Sequence, residues 1–363
     1  INTVQCLKTP RWSNVDKIDA LRPLDLADLH HYSRQLLKQA RVECMVYGNA
    51  SKETASQYLR TIVNTLKVQP LPCSMLLDRR LVNLASNTDY YYRVHCADKN
   101  PDEVNNAIET CYFIGEGDYQ PVLLTPAFLG DVGAELTPVE KEALGNMDKS
   151  IELGMLCRFL VHLMGDAAFH QLRTIEQLGY IVSVQGTESS GTGYGIKVLI
   201  QSDKQDAHYL DARIENFLTV FAEEQFEKEL LEEGVFEAHR AALVEMWSEK
   251  SKNIGEEAYK QWDEISQARY DFDLDAKCTQ LIKFVTLPML VEFYQRYISI
   301  DSAVRTKMCS EYFAKDSSFP ARECLPVSNM GKADTVLIEE LGVARWKASM
   351  PLKASTKRHD LLA

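Results

Sequence analysis

An arginine and a tyrosine stand seven residues apart in the segment FHQLRTIEQLGYIVSV, residues 169–184. Arginine offers a planar fork of N–H donors and tyrosine offers one O–H donor on a rigid ring, so the spacing raises the question whether Arg173 and Tyr180 form a site or only mark the seam between a helix and a strand. On a helix, Phe169, Arg173 and Glu176 share one face, while Leu172 and Ile175 can face a core. The residues alone leave a simpler alternative open, in which Arg173 and Glu176 form a weak surface ion pair.

The elements that hold this pair are predicted from apolar spacing. SIELGMLCRFLVHLM is apolar nearly all round, which is typical of a helix buried on most sides. Gly165 and Asp166 are expected to interrupt it, and a second short helix is expected to end near Leu178, with Gly179 as a cap at positive φ. YIVSVQG and YGIKVLIQS flank a Ser/Gly turn and predict a β-hairpin that Tyr180 opens.

The N-terminal residues predict a helix, a strand and a second helix. The first helix covers residues 24–38 and is capped by Asp25. VECMVYG, at 42–48, reads as a short apolar strand, and residues 51–66 form an amphipathic helical pattern. A proline-containing linker at 67–83 then leads to DYYYRVHCA, the expected first strand of a new unit.

An internal echo links this region to the other end of the chain. DLADLHHY at 25–32 resembles TLPMLVEF at 286–293, and the second copy leads into the strand MCSEYFA at 308–314. The second copy closes a unit that begins near residue 84, whereas the first copy stands close to the start of the sequence. The pattern therefore predicts that the chain is a fragment whose first unit is incomplete.

Two other segments have competing interpretations. Residues 121–149 contain two proline turns and a helix start at Thr137, and they read as an inserted surface loop, with a lid as the alternative. Six glutamates between 223 and 233 read as a solvated helix face, with a metal or basic-substrate site as the alternative.

The composition excludes several classes of protein. The chain has 363 residues, of which 45% are apolar and 25% charged, so it is long enough for two domain-sized hydrophobic cores. Its net charge is −12, so it lacks the basic surface that binds nucleic acid or an anionic membrane. No apolar run is long enough to span a bilayer. Nine cysteines without a C-x-x-C pair predict buried reduced thiols and a reducing, cytoplasmic location.

Motifs for a complete catalytic centre are missing from the sequence. None of the eight histidines lies in H-E-x-x-H or H-x-x-E-H, so no metal site is expected in this chain. There is no G-x-S-x-G elbow and no glycine-rich phosphate loop. A Cys–His pair stays open, because such residues meet only in the fold.

The opening segment resembles the F-x-x-L-R-T-x-E-Q-L-G-Y-x-V segment of the insulinase (insulysin, pitrilysin-type) zinc metallopeptidases. Three further segments also resemble segments of that family, namely GIKVLIQSDKQDAHYLDARIENFL, WDEISQARYDFDLD and MVYGNASKE. The resemblance covers essentially the whole chain except 121–149. It implies an α+β fold of tandem homologous two-layer domains, of the insulinase and mitochondrial-processing-peptidase type, in which a mixed, mainly antiparallel sheet packs against helices.

The family has four such domains, arranged as two halves around a closed chamber, with the zinc motif in the first domain. By this resemblance, residues 1–75 are the end of the third domain. Residues 76–363 are the fourth domain, with the insertion at 121–149 and a C-terminal tail at 316–363.

The resemblance also implies a function. Arg173 and Tyr180 would be catalytic and substrate-binding residues that face the zinc, and Phe169 would line the same surface, with an ordinary buried aromatic as its alternative. The chain would be the non-zinc-binding C-terminal half of a metalloendopeptidase that degrades peptides, inactive alone, with zinc only in the full-length enzyme.

The implied partners are the N-terminal catalytic half, peptide substrates and, because the family often dimerises through its C-terminal half, a second copy. No nucleic acid and no membrane are expected. A non-catalytic structural or regulatory subunit of the same fold is the alternative.

Overall fold

The computed structural model describes residues 6–9, 11–12, 14–76, 80–96, 105–115, 117–125, 128, 137, 142, 144–145, 147–189, 193–314, 334–339 and 342–353. Its N-terminal elements are β1 (Lys8–Thr9), α1 (Asn14–Leu21), α2 (Leu26–Leu36), β2 (Gln39–Ala40), α3 (Lys52–Leu66), β3 (Gln69–Pro70) and β4 (Arg80–Leu81). Asp25 and Asp28 form a reciprocal capping box at the start of α2, which confirms Asp25 as the N-cap.

The predicted strand at residues 42–48 is wrong, because residues 41–47 have no regular secondary structure. Only Gln39 and Ala40 pair, with Gln69 and Pro70 of β3. A strand needs a hydrogen-bonded neighbour, and the described part of the chain places none beside residues 42–48.

The centre of the molecule is a six-stranded sheet. Its strands are β5 (Thr88–His95), β6 (Asn106–Gly115), β7 (Ile181–Ser189), β8 (Gly193–Ser202), β9 (Thr306–Phe313) and β10 (Asp334–Glu339), in the order β10-β5-β9-β6-β8-β7. β5 pairs in parallel with β9 and β10, and the other pairings are antiparallel. The predicted hairpin is confirmed as β7–β8, and the predicted strands near residues 89 and 308 are confirmed as β5 and β9.

The longer helices follow in chain order as α4 (Lys149–Ala168), α5 (Ala207–Phe221), α6 (Val235–Ser248), α7 (Ile254–Ser266), α8 (Leu274–Leu281), α9 (Leu287–Tyr297) and α10 (Val343–Ser349). Helices on a mixed sheet confirm the α+β fold class. Within the described residues, no helix is both long enough and apolar enough to cross a membrane.

The central strands of the sheet are buried on both faces, whereas the edge strand β7 is partly exposed. Along β5, Tyr91 belongs to the core under α4, α5 and α9, whereas Tyr90 and Tyr92 belong to a second core on the opposite face. This alternation follows from the two-residue period of a strand. The second core also buries Cys6 and Leu7, so residues 6–9 pack with the sheet, and β1 pairs with β4. The boundary proposed between residues 75 and 76 stays a prediction.

The echo between the two chain ends is confirmed for the helices and not for the strands. α2 and α9 begin at equivalent positions, but α2 is followed by the two-residue strand β2 and not by a strand at residues 42–48. Leu290 and Phe293 are 0% and 4% exposed, whereas the equivalent Leu29 and Tyr32 are 60% and 59% exposed. The same apolar spacing is therefore buried in the helix-side core in one copy and left exposed in the other.

Helix α5 is fixed to the sheet by fully buried charges. The ammonium of Lys307, on β9, contacts Asp211 at 2.8 Å and Glu215 at 2.7 Å, both on α5. Arg305 binds the other oxygen of Glu215 at 2.8 Å. Burial of unpaired charge is costly, so these pairs hold the registry between α5 and the sheet.

The segment at 121–149 is packed where the structure describes it. The carboxylate of Glu152, in the first turn of α4, accepts the backbone N–H groups of Val122, Leu123 and Leu124 at 2.7–3.0 Å. Leu123 and Leu144 are buried in the helix-side core. The predicted helix start at Pro138 lies outside the described residues. Most residues of the insertion and of the predicted tail also lie outside them, although β10 and α10 belong to the tail.

The acidic run is exposed as predicted, although it lies on short helical turns and not on one continuous helix, and the prediction of buried thiols holds for most but not all of the described cysteines. The glutamates at 223, 224, 227, 229, 232 and 233 are all exposed. Of the free cysteines that the structure describes, Cys44 is exposed, Cys96 is half-buried, and Cys6, Cys111, Cys157, Cys278 and Cys309 are buried.

Candidate functional site

Helix α4 carries the candidate site on its C-terminal extension. The helix runs without a break through Gly165 to Ala168, and a π-helix then spans Phe169–Ile175. The expected interruption at Gly165–Asp166 is wrong, because one helical glycine costs only about 1 kcal/mol and the buried flanks of the helix outweigh it. Single-turn π-helical segments are rare and are often found at functional sites.

The three residues singled out from the sequence lie together. The guanidinium carbon of Arg173 is 4.6 Å from the ring centroid of Phe169 and 5.3 Å from that of Tyr180. Both distances are within the cation–π range. Phe169 is 44% exposed and Tyr180 is 82% exposed, so the alternative of a buried aromatic at position 169 is wrong.

Glu176 does not pair with Arg173. Its carboxylate accepts two hydrogen bonds from Arg213, on α5, at 2.6 and 2.8 Å, and a third from the Gln171 amide at 2.8 Å. Burial raises the pKa of Glu176, but these hydrogen bonds outweigh it and lower the pKa overall. The surface pair between Arg173 and Glu176 is therefore wrong, and within the described residues Arg173 keeps its N–H donors unused.

The π-helix ends without help from a positive φ at Gly179. Gln177 is the residue in the left-handed region, with φ of 52°. Gly179 is needed for a different reason, because a Cβ there would lie 1.8 Å from the backbone oxygen of Gln201, on β8. The predicted role of Gly179 as a left-handed cap is wrong. Its missing side chain lets the chain enter β7 close against β8.

A cleft of about 410 Å³ opens beside these residues. Its walls include Asn105, Arg173, Gln177, Tyr180, Gln201 and Lys204. These side chains supply two cations, one phenol and three amides, and Asp203 adds a carboxylate to the same walls. The Gln201 amide donates to the Asn105 side-chain oxygen at 3.0 Å. The sequence did not identify three of these cleft residues, Asn105, Gln201 and Lys204. They approach Arg173 only because β6, β7 and β8 pair in the folded sheet.

The cleft does not contain a metal site. Within the described residues, no three His, Cys, Asp or Glu side chains are grouped so that they could hold a metal ion. The zinc of the family therefore does not fit residues of this part of the chain.

The segment that carries these residues is similar to known proteins. Residues 159–262, which include Phe169, Arg173 and Tyr180, match the family described as PQQ synthase PqqF-like, C-terminal lobe domain 4. The chain is 26% identical over 356 residues to the peroxisomal insulin-degrading enzyme-like 1 of Arabidopsis thaliana, and 26% identical over 361 residues to the insulin-degrading enzyme of Homo sapiens. Each alignment covers 96% of this chain.

The crystal structure of pitrilysin has the same fold, with a TM-score of 0.67 over 96% of this chain and 18% sequence identity. Over nearly its whole length the chain is therefore similar to insulin-degrading enzymes in sequence and to pitrilysin in fold. It corresponds to the C-terminal portion of these peptidases, because the matching family is a C-terminal lobe domain. The chain spans about a third of the curated relatives it matches, 32% of the plant protein and 31% of the human one.

Proposed function

We propose that this chain is a substrate-binding C-terminal portion, within the half that does not bind zinc, of an insulinase-type metalloendopeptidase, and that Arg173 and Tyr180 bind the peptide at the bond to be cleaved. One observation carries the proposal. The Arg173 guanidinium lies against the rings of Phe169 and Tyr180 at the edge of an open cleft. Asp203 lines the same cleft, but Arg173 forms no ion pair with it or with another carboxylate of the described residues.

The geometry supports a role in oxygen recognition. Stacking on two rings restricts the guanidinium to few orientations, so its N–H fork is preorganised at low entropic cost. The Tyr180 hydroxyl adds one donor at the same edge of the cleft. When the peptide carbonyl becomes tetrahedral, its oxygen gains negative charge, and preorganised donors stabilise that charge more than they stabilise the ground state.

The same geometry supports dependence on a second surface. Tyr180 is 82% exposed here, and donors in water are screened by the high dielectric constant. Enclosure by another protein surface would exclude water and strengthen both donors. The zinc of the family would be held by the N-terminal half, and the residues of this chain would bind and orient the peptide. The cytoplasmic location and the homodimer stay predictions.

The test is a comparison of the chain alone with the reconstituted enzyme. The chain alone should not cleave a fluorogenic peptide, with or without added zinc, and zinc-dependent turnover by the chain would contradict the proposal. Together with the remaining domains, Tyr180→Phe should lower kcat by roughly 10- to 1,000-fold, as loss of one oxyanion donor does.

Tyr259→Phe is the matched control, because Tyr259 is also exposed and does not line the cleft. It should leave kcat unchanged. An unchanged kcat in Tyr180→Phe would refute the catalytic role. A reconstituted enzyme without peptidase activity would instead favour a structural or regulatory subunit.

A further inference from the structure

The carboxylate of Glu176 is bound by an arginine that lies outside the cleft. Its two oxygens accept hydrogen bonds from Nε and Nη2 of Arg213, on α5, at 2.6 and 2.8 Å. Arg173 stands three residues before Glu176 in the chain and lies against the rings of Phe169 and Tyr180 instead. The carboxylate nearest to Arg173 along the helix is therefore occupied by a different cation.

Glu176 needs a cation because its side chain is only 13% exposed. Burial raises its pKa, but hydrogen bonds from Arg213 and Gln171 and the charge of Arg213 outweigh burial and lower the pKa overall. Arg173 is not among the groups that lower it. A largely buried carboxylate is costly when its partner is removed, and residues three apart on a helix are neighbours. Loss of Arg213 would therefore make Arg173 the next partner of Glu176.

The π-helix supports the same arrangement. The Glu176 N–H donates to the Gln171 carbonyl oxygen at 2.9 Å, and the Gln171 side-chain amide donates to the Glu176 carboxylate at 2.8 Å. Both bonds join residues that are five apart, which is the spacing that a π-helix brings together. The wider turn directs Glu176 to Gln171 and α5.

We propose that Arg213 is a positioning residue for the Arg173 site, because it holds the Glu176 carboxylate at α5 and so keeps the N–H edge of Arg173 available to the peptide carbonyl oxygen. This inference rests on the function proposed above. Arg213 is not among the residues that line the cleft, so it acts through Glu176 and does not touch the peptide.

An ion pair that only tied α5 to the π-helix would predict a different outcome. In that case, removal of both partners would be no better for activity than removal of Arg213 alone. If Arg213 keeps the carboxylate away from Arg173, activity should instead return when Glu176 also loses its charge.

The experiment measures kcat with a fluorogenic peptide in the enzyme reconstituted with the remaining domains. Arg213→Met should lower kcat by roughly 10- to 100-fold, somewhat less than the roughly 100- to 1,000-fold that outright loss of an oxyanion donor costs. Glu176→Gln should keep the kcat of the parent, and Arg213→Met combined with Glu176→Gln should regain it. The double variant has no unpaired carboxylate, so it is informative even where Arg213→Met is less stable.

Arg158→Met is the matched control. Arg158 lies on α4, pairs with Asp275 at 2.9 Å and is 32% exposed, against 28% for Arg213, and it does not line the cleft. Its substitution removes a comparable ion pair and should leave kcat unchanged. Thermal melts establish that each variant is folded.

A second measurement uses the 363-residue chain alone and is independent of activity. The pKa of the Glu176 carboxyl group is measured by NMR titration of ¹³C-labelled glutamate. Arg173→Met should leave this pKa unchanged when Arg213 is present, and should raise it in the Arg213→Met background, where Arg173 has become the partner. The same effect of Arg173→Met in both backgrounds would overturn the inference.

The kinetic outcomes separate this inference from the proposed function. If Tyr180→Phe lowers kcat but Arg213→Met does not, or if the double variant is as slow as Arg213→Met, the positioning role is overturned and the proposed function stands. If Tyr180→Phe leaves kcat unchanged, the proposed function fails and the positioning role fails with it.

Discussion

Replacement of Gly179 by alanine should disrupt both the fold and the site. The new Cβ would lie 1.8 Å from the backbone oxygen of Gln201 and 2.7 Å from the carbon of the same carbonyl group. Contacts of a real Cβ essentially never fall below 3.0 Å, so the two backbones must separate by at least about 1.2 Å. The atoms that must yield are backbone atoms of β8, which is held between β6 and β7 and cannot rotate away as a side chain would.

The magnitude follows from that displacement. Overpacking of a well-packed region costs about 1–3 kcal/mol when side chains can adjust, and we expect Gly179→Ala to lie at the upper end or beyond it. Gly179 directly precedes Tyr180, so the phenol moves with it. A misplacement of about 1 Å can cost a hundred-fold in rate, which sets the expected loss of kcat in the reconstituted peptidase.

The assay is urea denaturation of this chain, with Gly165→Ala as the matched control. Gly165 lies inside α4 on the same continuous helical segment, and a Cβ there would have no atom within 4 Å. Alanine at 165 should stabilise the chain by about 0.5–1 kcal/mol, because glycine is the poorer helix former. Equal free energies of unfolding for Gly179→Ala and the parent, or an undiminished kcat, would show that the close approach to β8 does not constrain Tyr180.

Two further predictions concern the charges buried under the sheet. Lys307→Met leaves Asp211 and Glu215 without their shared cation. It should lower the free energy of unfolding, measured by urea denaturation, by about 3–5 kcal/mol. The control Lys228→Met removes an exposed ion pair and should leave the free energy of unfolding nearly unchanged. Equal effects of the two substitutions would contradict this.

Burial raises the pKa of Glu311 from 4.5 to about 7. Between these two pH values the folded state keeps a proton that the unfolded state releases. The stability that this proton contributes to the folded state is therefore lost as the pH rises from 4.5 through 7. Glu311→Gln should therefore reduce the fall in stability between pH 5 and pH 8 by up to about 3 kcal/mol, and an identical pH dependence in the two proteins would contradict the assignment.

The sequence was most informative where the apolar spacing was strong. The buried helix α4, the hairpin β7–β8 and the capped helix α2 were all predicted, because 3.6-residue and two-residue periods and an Asp N-cap are local signals. Arg173 and Phe169 were placed on one face for the same reason. The short apolar run at 42–48 misled, because a run of that length does not reveal whether a partner strand is present.

The details that shape the site were not local. Glu176 and Arg213 are 37 residues apart, so the choice of Arg213 over Arg173 as partner is made by the packing of α5. The role of Gly179 depends on Gln201, across a hairpin, and a cap glycine has the same sequence signature as a close-approach glycine. The π-helix was not predicted from the sequence, and its i to i+5 pattern includes the hydrogen bond from the Glu176 N–H to the Gln171 carbonyl at 2.9 Å.

These non-local contacts explain why Arg173 is available for chemistry. An arginine beside a glutamate three residues away would ordinarily be neutralised on the helix surface. Here Arg213 and Gln171 occupy the Glu176 carboxylate, and Arg173 turns to the two aromatic rings, which bind its face and leave its N–H edge unpaired. A cation held in this way on an exposed surface adds little to stability. Its N–H edge is instead suited to an oxygen that is supplied from outside this chain, as a peptide carbonyl would be.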